Sequence, residues 1–252
     1  MVPVIYGLLP DRTVQTYIRM FHLIQQYCQT RNIVFNPQLF QIDYEVAAKK
    51  AIEEVFGMEK VRGCLFHFAQ CVWRKVQENG LVVEYNANED VNRMVRRLLA
   101  LPLIPLEQID NVWMEIHAEA PNTSSVHNLM DYMVKIWIGE NAKFKRQMWN
   151  HHNNYGPRTT NHLEGWHSGF NKKFNSPHPT FFQFLDVLKG EQNRFEEDIE
   201  SRGFGHPNPI PRKAIRDRNK RIMDLKEQAQ NNEITWLEFA GACGYLLPSQ
   251  LV

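Results

Sequence analysis

The sequence has few cysteines, no long apolar run and almost no net charge. Only four of its 252 residues are cysteine, and their spacing shows no paired framework. A disulfide-stapled secreted domain is therefore excluded, and we expect a reducing compartment. No apolar stretch approaches the roughly 18 residues that cross a bilayer, and the N-terminus lacks the basic leader of a secretory signal. The formal net charge of +1 neither favours nor excludes a nucleic-acid partner.

The composition does supply the material for a folded core. Hydrophobic residues make up 43% of the chain, including 15 Phe, 8 Tyr and 6 Trp. These values are typical of globular proteins and exclude a disordered or fibrous chain. The length predicts one or two domains.

Strand-like and helix-like segments alternate in the first third of the chain. Residues 2–9 form a short apolar run that predicts a buried strand, and Asp11 can cap the helix that follows. The same pattern predicts further strands at 39–43 and 61–66 and further helices at 44–56 and 67–80. This alternation predicts an α/β core with mainly parallel strands.

The alternation stops after this region. Residues 89–149 carry helical periodicity only, and further helices are predicted at 161–174 and 179–201. A Gly/Pro-rich break at 203–211 is typical of the end of a domain. We therefore expect a large all-helical block in the middle of the chain.

The segment after the break concentrates positive charge. Residues 212–221 hold the cations Arg212, Lys213, Arg216, Arg218, Lys220 and Arg221, against the single acidic residue Asp217. Such a run can bind the phosphate backbone of DNA without reading its sequence. An ordinary solvated basic helix explains the same pattern.

Asp43 stands at the predicted carboxyl end of a strand, where α/β sheets usually present ligands and catalytic groups. Capping of the following helix explains this residue equally well. The position alone therefore leaves both roles open.

Cys64 and His67 lie at the end of the next predicted strand. A Cys-x-x-His pair can ligate zinc, and His162 and His167 have a spacing that occurs in zinc sites. A buried thiol beside a hydrogen-bonded histidine is the ordinary alternative.

The segment "RTTNHLEGWHSGFN" places one carboxylate, Glu164, on a polar helix face beside an apolar stripe. Gly165 and Gly169 sacrifice helix propensity and would permit close approach of a ligand or another backbone. Tight helix packing around Trp166 explains the two glycines as well.

Several segments together resemble one family, the transposase domain of Mutator-like elements. They are "LFQIDYEVAAKKAI", "GCLFHFAQCVWRKVQENGL", "LPLIP", "YMVKIWIG" and "RTTNHLEGWHSGFN" followed by "LKGEQ". The order and spacing of these segments make the resemblance specific from residue 1 to about 200. It implies a partial RNase H-like α/β fold, without its first strands, that carries a large all-helical insertion. The implied domains are 1–85 and 158–202 for the RNase H-like part, 86–157 for the insertion and 203–252 for a basic helical tail.

The resemblance also implies roles for individual residues. Asp43 matches the second aspartate of an Asp, Asp, Glu triad that holds Mg²⁺ or Mn²⁺, and Glu164 matches its glutamate. Cys64 and His67 match a Cys-x-x-His motif that would support this site, with His162 and His167 nearby. The first aspartate has no counterpart, so we expect Met1 to be an internal methionine of a longer ancestor.

These implications define two alternative functions. The first is a truncated or domesticated Mutator-like transposase whose ancestral reaction is metal-dependent cutting and joining of DNA strands. The second is a non-catalytic DNA-binding or protein-interaction relic. In either case we expect DNA as a partner, a nuclear location, and a second copy or another polypeptide that completes the sheet.

Overall fold

The structure, a computed structural model, describes residues 3–154, 156–204, 206 and 212–247. Within them the fold is mostly helical and contains one small parallel sheet. The strands are β1 (Phe40–Ile42) and β2 (Val61–Gly63). The helices are α1 (Val14–Gln29), α2 (Val46–Phe56), α3 (Leu65–Glu78), α4 (Val82–Ala87), α5 (Glu89–Ala100), α6 (Ile109–Glu119), α7 (Ser124–Met133), α8 (Arg146–Trp149), α9 (Asn161–Asn171), α10 (Phe181–Gly203), α11 (Lys213–Gln230) and α12 (Trp236–Leu246).

The two strands pair in parallel, as the strand-helix alternation predicts. Phe40 aligns with Val61 and Ile42 aligns with Gly63, and α2 makes the connection between the strands. The C-cap residue of α2 is Gly57, whose φ of 102° is a conformation that glycine adopts without steric cost. The coarse α/β prediction is therefore confirmed for this part of the chain.

Residues 3–9 have no regular secondary structure, so the predicted strand at 2–9 is wrong over its described part. An extended segment becomes a strand only when a neighbouring backbone pairs with it, and no described strand lies beside this one. The segment packs through side chains instead. The ring of Tyr6 lies 5.8 Å from that of Trp166 on α9, and Gly7 faces Met20 on α1.

The main hydrophobic core is built around large aromatic residues. Phe68 on α3 stacks on Trp149 with ring centroids 5.4 Å apart and meets the edge of Trp137 at 4.7 Å. All three side chains are fully buried. Because α12 packs against α5 and contributes to the same cluster, the C-terminal helices share this core.

The predicted helical block is present, and α5, α6, α7 and α8 lie within it. A π-helical turn, Val134–Ile138, continues α7. The later helices differ only at their ends from the predictions. α10 begins after Thr180, whose side chain and that of Gln183 form a reciprocal capping box, and not at Pro179 as predicted.

The helices α9 and α10 form an aromatic cluster of their own. Phe184 on α10 lies 5.5 Å from Phe170 and 6.1 Å from Phe174. None of the described residues of these two helices belongs to the main hydrophobic cluster. The packing of this helix pair is therefore separate from that of the core.

A buried carboxylate joins the two helices. Glu191 on α10 is 2% exposed and accepts hydrogen bonds from the indole nitrogen of Trp166 at 3.1 Å, from Lys173, and from Arg194. Burial raises the pKa of Glu191, but these hydrogen bonds outweigh burial and lower the pKa to about 2. The charged form of Glu191 thus stabilises the pair.

We expect Glu191→Gln to destabilise the α9–α10 pair by about 1–3 kcal/mol, because Lys173 and Arg194 lose their charged acceptor. The folded-state pKa lies below the ordinary value of 4.5. The stabilisation is therefore present at neutral pH and is lost as the pH falls from about 4.5 toward 2. Chemical denaturation followed by tryptophan fluorescence across this pH range measures both effects. Glu197→Gln, an exposed position on the same helix, is the matched control, and equal losses in the two variants would contradict the prediction.

We also expect fast amide exchange in residues 4–9, because their N–H groups make no hydrogen bond within the described part of the chain. Hydrogen–deuterium exchange with mass spectrometry provides the comparison with α3, whose amides lie in a buried helix. Protection of residues 4–9 equal to that of α3 would show that this segment is paired.

Candidate functional site

Asp43 follows β1 directly and is exposed at the carboxyl edge of the sheet. One of its carboxylate oxygens accepts the backbone N–H of Glu45 at 3.1 Å. α2 begins only at Val46, two residues later than the predicted start, and Glu45 occupies its N-cap position. Asp43 therefore closes a turn before the helix, and its side chain stays at the surface.

Cys64 connects the sheet to the two helices of the candidate site. Its N–H donates to the carbonyl oxygen of Ile42 at 2.8 Å, which continues the pairing of the strands by one residue. Its side chain is 0% exposed, and the sulfur accepts the N–H of Thr160 at 3.3 Å. Because Thr160 is the N-cap residue of α9, the thiol fixes the start of that helix beside β2.

His67 and Glu164 form an ion pair between α3 and α9. Nε2 of His67 lies 3.1 Å from Oε1 of Glu164, and the side chains are 24% and 45% exposed. The Cys64 side chain raises the pKa of His67 most, burial lowers it, and the negative charges of Glu164 and Asp43 raise it further. The net effect is a raised pKa, which favours the charged imidazolium.

The thiol of Cys64 responds in the opposite direction. Burial raises its pKa, but the interactions with His67 and Thr160 outweigh burial and lower it. Nδ1 of His67 is buried, and among the described residues it has no hydrogen bond of normal geometry. The ring of His67 thus interacts with the Cys64 thiol through the pKa effect on both groups. Its contact at hydrogen-bond distance is the one with Glu164.

Asp43 and Glu164 line one cavity of about 320 Å³. His67 and His167 line it as well, between the end of β1, the start of α3 and the first turns of α9. The structure thus brings together four of the residues singled out from the sequence. The side chain of His162 lies outside the described residues.

The two glycines of α9 make no close approach to another element. A Cβ atom on Gly165 or Gly169 would meet no described atom within 4 Å. Tight helix packing and a backbone at contact distance are therefore wrong among the described residues, and the close approach of a ligand stays a prediction.

No group of three or more His, Cys, Asp or Glu side chains is positioned to hold a metal ion among the described residues. The Cys64 sulfur is occupied by the Thr160 N–H, and one oxygen of Glu164 by His67. The described residues therefore fit neither a zinc site at Cys64 and His67 nor a complete centre for two divalent ions.

The predicted basic run lies at the start of α11. Arg212, Lys213, Arg216, Lys220 and Arg221 are exposed, whereas Arg218 is half-buried. None of these cations forms an ion pair with another residue that the structure describes. Their positive charge is thus available to a partner.

The sequence does not predict the roles of Thr160 and of the Glu191 network. Thr160 acts through its backbone N–H, which carries no sequence signal, and Glu191 is one of several acidic residues along α10. Only the fold distinguishes the buried carboxylate from the exposed ones.

The family model for the MULE transposase domain matches residues 1–71. The match confirms the resemblance over the segment that contains Asp43, Cys64 and His67, and Glu164 lies outside it. No curated protein and no solved structure matches the chain. No helix in the described portion is both long and apolar enough to span a membrane.

We expect the pKa of His67 to fall in both Glu164→Gln and Asp43→Asn, because each substitution removes a negative charge that favours the imidazolium. NMR titration of the histidine ring protons measures this directly. Glu115→Gln removes an exposed charge on α6 and serves as the control. An unchanged His67 pKa in the Asp43 variant would show that the two carboxylates do not share the cavity in solution.

Proposed function

We propose that this chain is a transposase-derived domain of the Mutator-like class that acts on DNA. In this proposal Asp43 and Glu164 are two carboxylates of the strand-cutting centre. One observation carries the proposal: these two side chains, far apart in sequence, line the same cavity at the carboxyl edge of a parallel sheet. The match of residues 1–71 to the MULE transposase domain supports it.

The proposed fold is RNase H-like. The parallel pair β1–β2 with the connecting helix α2 would be part of its sheet, and the helices from α5 to α8 would be the insertion. A further strand from a second copy or another polypeptide would pair with this sheet. A nuclear location follows from the same proposal, since chromosomal DNA would be the substrate.

The ancestral reaction would be metal-dependent cleavage and joining of DNA strands. Two divalent cations bring four positive charges, and Asp43 and Glu164 together supply two negative charges. The described residues thus do not complete such a centre. What they do supply is negative charge at the cavity, with Glu164 held in place by His67.

A second candidate is a DNA-binding domain without catalytic activity. It is favoured by the ion pair between His67 and Glu164, which occupies the carboxylate with a protein partner. The absence of a three-ligand group among the described residues favours it as well. In this case the exposed cations of α11 would carry the binding of DNA.

A nicking assay separates the two candidates. The purified chain is incubated with labelled duplex DNA and Mn²⁺, and the same assay is run with Asp43→Ala, Glu164→Ala and the control Glu115→Ala. We expect any nicking by the unmutated chain to disappear in the Asp43 and Glu164 variants and to persist in the control. Loss in both variants is expected because each removes half of the available negative charge at the cavity.

Each result of the assay has a defined meaning. Nicking that needs both carboxylates supports the enzymatic candidate. DNA binding without nicking supports the second candidate. A chain that neither nicks nor binds duplex DNA would contradict both.

A further inference from the structure

Three half-buried arginines lie on β2, in the segment before α9 and on α11. Arg62 is on β2 and aligns with Gln41 on β1, so both side chains point to the same face of the sheet. Gln41 lines the cavity of Asp43 and Glu164. Arg62 therefore lies beside one wall of that cavity.

Arg158 lies in the segment that leads into α9. Its carbonyl oxygen accepts the N–H of Leu65 at the start of α3, at 2.9 Å. Two residues later Thr160 lines the cavity. The fold thus holds Arg158 at the junction between the sheet and the two helices of the site.

The guanidinium groups of Arg62, Arg158 and Arg218 have no anionic partner. All three side chains are half-buried, and none makes an ion pair or a side-chain hydrogen bond with a residue in the described part of the chain. Nε of Arg158 is buried and unpaired. Partial burial of a cation without a counter-charge is unfavourable, and an anionic ligand would relieve it.

The charged groups that act on His151 and Arg158 are other arginines. Burial lowers the pKa of Arg62, and burial together with Arg218 lowers that of Arg158. Burial is also the main cause that lowers the pKa of His151 to about 4, and Arg62 and Arg158 lower it further. The neighbouring Cys243 has its pKa raised to about 12 by burial, so it is a neutral thiol at pH 7. No compensating negative charge comes from these groups.

We propose that Arg62, Arg158 and Arg218 bind consecutive phosphate groups of a DNA strand and lead it from α11 to the cavity of Asp43 and Glu164. The planar guanidinium group suits a phosphodiester because it can donate two parallel hydrogen bonds to the phosphate oxygens. We call Arg62, Arg158 and Arg218 the arginine track. Arg218 lies on α11, so it joins the track to the exposed cations of that helix. The inference rests on the proposed action on DNA, and it extends the DNA contact from the basic run, which contains Arg218, to Arg62 and Arg158 outside that run.

Fluorescence anisotropy with a short labelled DNA duplex tests the track. Arg62→Gln, Arg158→Gln and Arg218→Gln are compared with Arg19→Gln, which removes an exposed cation on α1. We expect each track variant to weaken binding roughly five- to tenfold at low salt, and the control to stay within about twofold. The slope of log affinity against log salt should fall by about one for each track residue removed. Track variants that behave like the control would overturn the proposal.

Thermal unfolding separates a binding role from a structural one. An unpaired, partly buried cation does not stabilise the fold, so Arg158→Gln should melt at or above the temperature of the unmutated chain. Arg158→Lys keeps the charge without the paired hydrogen bonds and should recover part of the affinity. A lowered melting temperature with no recovery by lysine would show a structural role and overturn the proposal.

Two further comparisons identify the ligand and keep the inference distinct from the proposed function. If polyglutamate competes with DNA as strongly as a phosphodiester polymer of matched charge does, the assignment to phosphate is overturned. Normal nicking and normal DNA affinity in the track variants would contradict the proposal for the arginine track and would leave the proposed function unaffected. DNA binding that depends on the track arginines, in a chain that does not nick DNA, would support the track proposal and contradict the enzymatic candidate.

Discussion

The geometry of the candidate site depends on the two hydrogen bonds of Cys64. The N–H of this residue extends the pairing of β1 and β2, and its sulfur holds the N–H of Thr160 at the start of α9. These contacts join the sheet, α3 and α9 at one buried point. Together with the hydrogen bond from the Leu65 N–H to the Arg158 carbonyl, they position Glu164 relative to His67 and Asp43. In the Cys-x-x-His motif, Cys64 thus connects the sheet to α9, and His67 contacts the carboxylate of Glu164 on that helix.

Much of the local structure follows from the sequence because short-range patterns decide it. The apolar stripe of α1 includes Ile18 and Phe21, and both are buried in the structure. The parallel order of β1 and β2 follows from the helix between them. The starts of helices are less well predicted: the sequence leads us to expect Asp11 to cap α1 and Pro179 to open α10, but Thr13 and Thr180 occupy the N-cap positions.

The remaining features depend on contacts between distant segments. Residues 3–9 have the composition of a strand, but a strand needs a neighbouring backbone that no local pattern can reveal. The expectation that Asp43 and Glu164 lie close together rests on a family resemblance, because their spacing in the sequence does not predict it. The lack of an ion-pair partner for Arg62 and Arg158 among the described residues is visible only in three dimensions, because a sequence does not show which carboxylates lie near a given arginine.

The separation of the α9–α10 aromatic cluster from the main core has a mechanical consequence. Asp43 and His67 lie on elements that pack on the core, whereas Glu164 belongs to a helix pair anchored by Trp166 and Glu191. A sub-global opening of this pair would break the contacts of Thr160 with Cys64 and of Glu164 with His67 and leave the core folded. It would carry one acidic wall of the cavity away from the other, so the cavity would disassemble before the chain unfolds.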